Sequence, residues 1–338
     1  MPVFTPTLNV PPESKKKTHV IEPEGSKFRG DFNHNSFLFT HNLAGNPLFE
    51  LPRLTTLAET LIKKDGPGSV RWKNADSPID AKWAQLPPSE QVANVSDAIR
   101  NLDKSGSWVV LYRVQHDPEY SAILEQALDD IEEMIGRPLR PEITWKDSYI
   151  FMASPHAITP YHFDHETAFL MQVHGNRLAH LWDQKDRSVL TEVELENYYM
   201  GDLGAGTYRE ENQNKAYVFN MDAGKGVHHP VLAPHYYKNG DDYSVAIGVH
   251  LCLRDVDQRG RAYQVNSCLR KLGLKPTPPG LSPWKDNLKI RAVNLLDKKN
   301  PTTKFDLIRS GAWRLKKPFG LLSRLKGNKP APKSNGAM

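Results

Sequence analysis

Residues 168–182 read AFLMQVHGNRLAHLW. Two apolar runs, 168–174 and 177–182, flank His174-Gly175-Asn176, and that turn signal predicts two strands joined as a hairpin. Runs of the same texture recur on both sides: 147–153 (DSYIFMA), 216–220 (AYVFN), 234–238 (PHYYK) and 243–252 (YSVAIGVHLC). Several short strands separated by close turns predict a small barrel or sandwich.

Outward from this core the texture changes. Residues 107–112 (SWVVLY) read as a buried strand and Leu54 to Ile62 as helical. Over 118–136, Ile123, Leu124, Leu128, Ile131 and Ile135 recur at helical spacing, and Gly136-Arg137-Pro138 ends the run. The expected organisation is an irregular segment over 1–35 and mixed α/β elements over 36–140. A β core follows over 141–258, then a helical region over 259–312 and a basic tail over 313–338. The class is therefore α+β with a mainly β core, and there is no internal repeat.

The chain has 338 residues, 39% of them hydrophobic, with a mean hydropathy of −0.57. No stretch approaches the roughly 18 apolar residues of a membrane span, and the first residues show no secretory apolar region. Cys252 and Cys268 are the only cysteines. That excludes a disulfide framework and a cysteine-based zinc site, and it predicts a reducing, cytoplasmic setting. The net charge of +5 divides unevenly: residues 259–338 carry 19 Lys/Arg against 3 Asp/Glu. An acidic body with a basic appendage is expected, and the appendage suits an anionic partner or the body itself.

The chemistry concentrates in Thr159-Pro160-Tyr161-His162-Phe163-Asp164-His165-Glu166. On an extended segment residues i and i+2 share a face, so His162 and Asp164 can bind one metal ion. A third imidazole from a distant strand would complete a two-histidine, one-carboxylate face, the donor set of non-heme Fe(II) oxygenases. With 13 histidines in the chain, a lone His-x-Asp is weak evidence. The stretch Gly226-Val227-His228-His229-Pro230-Val231-Leu232-Ala233-Pro234-His235-Tyr236-Tyr237 offers the third ligand. His228, His229 and His235 compete for that role.

The residues TPYHFDHETAFLMQVHGNR (159–177) and PVLAPHYYKN (230–239) resemble the JmjC/cupin-like Fe(II)- and 2-oxoglutarate-dependent oxygenases. Within them the resemblance is to the branch of the asparaginyl hydroxylase that acts on hypoxia-inducible factor. It covers roughly 145–252. It implies a double-stranded β-helix (jelly-roll or cupin) with flanking helices, holding Fe(II) through His162, Asp164 and His235, and it favours His235 over His228 and His229. It also implies 2-oxoglutarate and O2 as co-substrates. Arg177 stands where the branch has a lysine for the distal carboxylate, and Thr159 matches its hydroxyl partner. A guanidinium suits that task through two parallel charge-assisted hydrogen bonds. His250 and Ala168 replace asparagines of the branch near the co-substrate, and Tyr149 and Phe151 are expected in the pocket wall.

The resemblance implies hydroxylation of an aliphatic carbon on a small metabolite or on a peptide or protein side chain. A non-catalytic, ligand-binding cupin and an N-methyl-lysine demethylase are the alternatives. His165, His174 and His180 are expected to be surface or satisfied core histidines. Glu166 reads either as support for a ligand or as a solvated charge. Trp313, Phe319, Leu321, Leu322 and Leu325 interleave with basic residues in the tail, but no sequence-specific nucleic-acid module appears. Helices over 259–310 can pair two chains, so a homodimer is a further expectation.

Overall fold

Along residues 244–253 (SVAIGVHLCL), buried throughout, large and small side chains alternate, and the alternation sorts them onto two different interfaces. The computed structural model describes residues 19–22, 27–82, 94–297 and 306–315. The elements run β1 (Ile21–Glu22), α1 (Lys27–Asp31), β2 (Phe37–His41), α2 (Leu51–Asp65) and β3 (Val70–Asn74). Next come α3 (Val95–Arg100), β4 (Ser107–Leu111), α4 (Pro118–Ile135), β5 (Ile143–Ala153), β6 (Ile158–His162), β7 (Thr167–His174) and β8 (Asn176–Leu181). Then follow α5 (Glu192–Tyr199), β9 (Tyr217–Asp222), β10 (Lys225–His229), β11 (His235–Asn239) and β12 (Ser244–Leu253). The chain continues through α6 (Arg254–Lys271) and α7 (Pro283–Leu296), and 306–315 is helical.

Among the described residues, twelve strands form two antiparallel sheets. The larger has the order β1-β2-β10-β7-β12-β5-β4-β3 and the smaller β6-β11-β8-β9. From β5 to β12 the chain crosses between sheets at every step except β8 to β9. This is the winding of a double-stranded β-helix. Leu170, Val227 and Ala246 of the larger sheet pack against Ala179, Leu181, Met221 and Tyr237 of the smaller. On the outer face Phe169, Met171, Ile247 and Val249 meet Leu54, Leu57 and Leu61 of α2 and Leu124, Leu128 and Ile131 of α4. So of the run 169–171, only Leu170 faces the inside of the double sheet.

α4 follows its sequence signals closely. Asp117 caps it by accepting from the Glu119 N–H at 3.0 Å, Pro118 opens it, and Gly136 ends it at a left-handed φ of 71°.

Two expectations are corrected. His174-Gly175-Asn176 is not a hairpin, because β7 and β8 belong to different sheets. The single residue between them is a corner. Gly175 makes it with φ +69°, and a Cβ there would lie 2.1 Å from the Tyr243 carbonyl oxygen. Within the segment 1–35, the described residues 19–22 and 27–35 are also not simply irregular. Ile21 pairs with His41, and the Val20 and Ile21 N–H groups donate to the Asp130 carboxylate at 2.7 and 3.0 Å. Phe28 and Phe32 are buried and stack on Phe169. A Lys/Pro/Glu-rich composition conceals two aromatics spaced i, i+4, which is one helix face. The tail from 316 on lies outside the described residues, and no described helix is long and apolar enough to cross a membrane.

Candidate active site

β6 is an edge strand, which is why it tolerates Pro160 without losing a ladder bond. It pairs with β11 so that His162 stands opposite His235. The register then slips, and Thr159 stands opposite Tyr237. That bulge brings His162 and Thr159, three residues apart, onto the same cavity. Asp164 reaches the site by another route than strand alternation. β6 ends at His162, and Asp164 sits in the following turn, where its carbonyl accepts from Leu232 N–H at 2.8 Å.

The three side chains converge. His162 Nε2 and His235 Nε2 lie 3.6 and 3.9 Å from Asp164 Oδ2, and the three donor atoms all fall within 4.8 Å of one another. His162 Nδ1 is 2.7 Å from the Pro160 carbonyl oxygen and His235 Nδ1 is 2.9 Å from that of Ala233. A carbonyl only accepts, so each Nδ1 carries a proton, and Nε2 is the nitrogen turned inward that can ligate a metal. Burial lowers the His235 pKa against the opposing pull of Asp164, which keeps the ring neutral and fit to ligate. Two imidazoles and one carboxylate on one side of a point are a facial metal-binding set. The residues present fit a divalent transition metal.

His228 and His229 are elsewhere engaged. His228 turns to the outer face, packed among Phe32, Phe37 and Phe169, and its Nε2 accepts from Asn33 N–H at 2.9 Å. His229 lines the cavity, but its Nε2 is hydrogen-bonded to the Tyr237 hydroxyl. His165 is a satisfied core histidine, His174 pairs with Asp242 at the surface, and His180 stacks on Tyr236. Glu166 is buried, not solvated.

All four expected co-substrate residues line the same cavity, a space of about 1000 Å³. Arg177, from β8, is 4% exposed. Its Nη2 donates to Ser244 Oγ, its guanidinium lies 5.4 Å from the Tyr237 ring, and its Nε has no partner. Among the described residues no carboxylate pairs with it, and burial pushes its pKa down to about 10. Thr159 Oγ1 accepts from the Trp108 indole at 3.0 Å. Tyr149 stacks against His250 at 4.4 Å. His250 stands across the strands from both Asp147 and Ala168, with Glu166 3.9 Å from its Nδ1.

Several wall residues escaped the sequence reading. Tyr237 was within reach, two positions after His235 on one strand, but its partner His229 comes from the other sheet. Asp147 needed its burial to be visible, which lifts the carboxyl to about 6 against the hydrogen bonds from Gln115 and Ser148.

The fold and site together define a double-stranded β-helix carrying a facial His-Asp-His cluster. No protein-family profile and no curated protein matches the chain. Among solved structures it is similar to ycfD of E. coli, at 14% identity over 90% of this chain and 72% of that one, with a TM-score of 0.48. A second match is the Escherichia coli ribosomal oxygenase YcfD in complex with cobalt and 2-oxoglutarate. It is 15% identical over 79% of this chain and 65% of that one, with a TM-score of 0.42. A variant of the oxalate decarboxylase of B. subtilis matches 36% of this chain and 24% of that one at 14% identity, with a TM-score of 0.23.

Proposed function

We propose that the protein is an Fe(II)- and 2-oxoglutarate-dependent dioxygenase that hydroxylates an aliphatic C–H bond. The observation that carries this reading is that one cavity contains both the facial triad and a buried guanidinium with no carboxylate of its own. Leaving a cation in that state costs several kcal/mol, and a dicarboxylate co-substrate would relieve it.

His162, Asp164 and His235 would hold the iron. When bound, the metal supplies the oxygen chemistry, coupling oxidative decarboxylation of 2-oxoglutarate to succinate and CO2 with insertion of one oxygen atom into the substrate C–H bond. Arg177 binds the distal carboxylate of the co-substrate, and Thr159 and Tyr237 flank it. Trp108, Tyr149 and Phe151 line the walls and exclude water. The row Asp147, His250 and Glu166 faces the remaining space, which suits a metabolite or a side chain presented by a peptide.

An anaerobic titration with Fe(II) and 2-oxoglutarate tests the reading through the visible metal-to-ligand charge-transfer band of a chelated keto acid. The band should form in the wild type and in His228→Ala, and be lost in His235→Ala and Asp164→Ala. A folded wild-type protein with no band would move the reading to a cupin that binds some other ligand.

Two further features belong to the same proposal. The first is a cytoplasmic setting, since two cysteines give no disulfide framework. Leu281, Trp284, Leu288, Leu295 and Leu296, in and beside α7, are exposed, and a second copy of the chain is the occupant we assign to them.

A further inference from the structure

The turn that carries Asp164 is tied to α5 and α6 through the side chain of the next residue, His165. His165 is wholly buried. Its Nδ1 lies 2.7 Å from the Tyr199 hydroxyl at the end of α5, and its Nε2 lies 2.7 Å from Asp257 Oδ1 in the first turn of α6. Its backbone N–H donates to the Tyr198 hydroxyl at 3.2 Å. A carboxylate oxygen accepts, so Nε2 directs a proton at Asp257, and the Tyr199 hydroxyl is the partner of Nδ1. Burial holds the Tyr199 phenol well above its usual range, so it stays a donor. Tyr199 is itself seated on α6. It stacks on Tyr263 at 5.4 Å, and any Cβ at Gly260 would come within 2.5 Å of its ring.

Cys252 lies near enough for its sulfur, His165 and Asp257 to surround an ion. The Nε2 of His165, however, already holds a proton directed at Asp257, and its other nitrogen is engaged by Tyr199. The cluster therefore reads as a brace. Asp164, whose side chain is 31% exposed against 5% for His235, depends for its direction on the turn beneath it.

We propose that His165 is a positioning residue: held by Tyr199 and Asp257, it fixes the 163–166 turn so that the Asp164 carboxylate faces the two imidazoles. The metal affinity of the site is thereby set in part by α5 and α6. This rests on the reading of His162, Asp164 and His235 as metal ligands.

Co(II), which does not oxidise in air under these conditions, is the probe. The full-length chain is titrated with it, following the ligand-field absorption, alongside elemental analysis and metal-free thermal unfolding. His165→Phe keeps the ring and deletes both hydrogen bonds; it should weaken Co(II) binding by about tenfold or more and alter the band, the size of effect seen when support to metal ligands is removed. Asp257→Asn still offers an oxygen to Nε2–H and should restore most of the affinity. If His165→Phe does not fold, Tyr199→Phe, which deletes a single O–H, should weaken binding several-fold. Wild-type affinity and spectrum in a folded His165→Phe or Tyr199→Phe would overturn the brace. So would a second equivalent of cobalt with thiolate charge-transfer absorption that disappears in Cys252→Ser, because the cluster would then be a metal site itself. A wild-type protein that binds no Co(II) overturns the oxygenase reading, and the brace with it.

Discussion

Arg177 shows how much one side chain can say once its surroundings are known. In the sequence it is a basic residue after a turn, and only the resemblance to oxygenases gave it a task. In the structure its burial beside Tyr237, with no acid paired to it among the described residues, gives the proposed task a physical reason. Arg177→Met should weaken 2-oxoglutarate binding by about 2–5 kcal/mol, the cost of removing one partner from a buried charge pair. Without co-substrate the same variant should unfold no more easily than the wild type, since an uncompensated buried charge is removed. Calorimetric titration and a denaturant midpoint measured on one preparation separate the two effects. The triad was similarly legible as residues but not as geometry. His162 and Asp164 were expected to share a strand face, whereas the strand stops at His162 and the turn delivers Asp164. The pairing of His162 with His235 follows from a sheet register that lies far beyond any local pattern.

At the scale of the element, local signals served well where the element is self-contained. The Asp117-Pro118 start and Gly136 stop of α4 are instances. They failed where the partner is remote. β6 carries an internal proline and β10 a single β-branched residue with paired histidines, so local propensity marks neither, and pairing decides their strand character. Gly175 has the chemistry of a turn, yet only the two-sheet winding makes it a corner. β10 and β2 also store a pH dependence. Burial depresses His228 to about 3 and His41 to about 4. In the unfolded chain both take up a proton below about pH 6.5, so unfolding consumes protons in the interval beneath it. Stability should therefore be full above that pH and fall as the pH drops, by up to about 1.4 kcal/mol per pH unit for each histidine, until their folded pKa values are passed. Urea titrations at pH 7, 6 and 5 on metal-free protein read this slope directly. Replacing His228 by Gln should reduce it.

At the scale of the whole molecule, the division between an acidic body and a basic C-terminal part was visible in composition alone. Composition could not show which apolar residues stay on the surface. If a second copy covers the exposed set in and beside α7, as proposed, the chain should form a dimer that dissociates on dilution. Trp284→Glu combined with Leu288→Glu should give a monomer at every concentration in sedimentation velocity, with the Co(II) spectrum of the metal site unchanged. A wild-type chain that remains monomeric at high concentration would discard the second copy.

β12 lies between β5 and β7, joined to β5 over nearly its whole length, and the Ser148 hydroxyl reaches the Gly248 carbonyl, 100 residues away along the chain. The central strand of the larger sheet is thus the last to be synthesised, and until it emerges β5 and β7 have no neighbour between them. Closing loops of that length before any pairing can reward them places such a topology among the slow folders. The nascent chain must therefore wait, with two sheet edges open, for the segment that makes it a container.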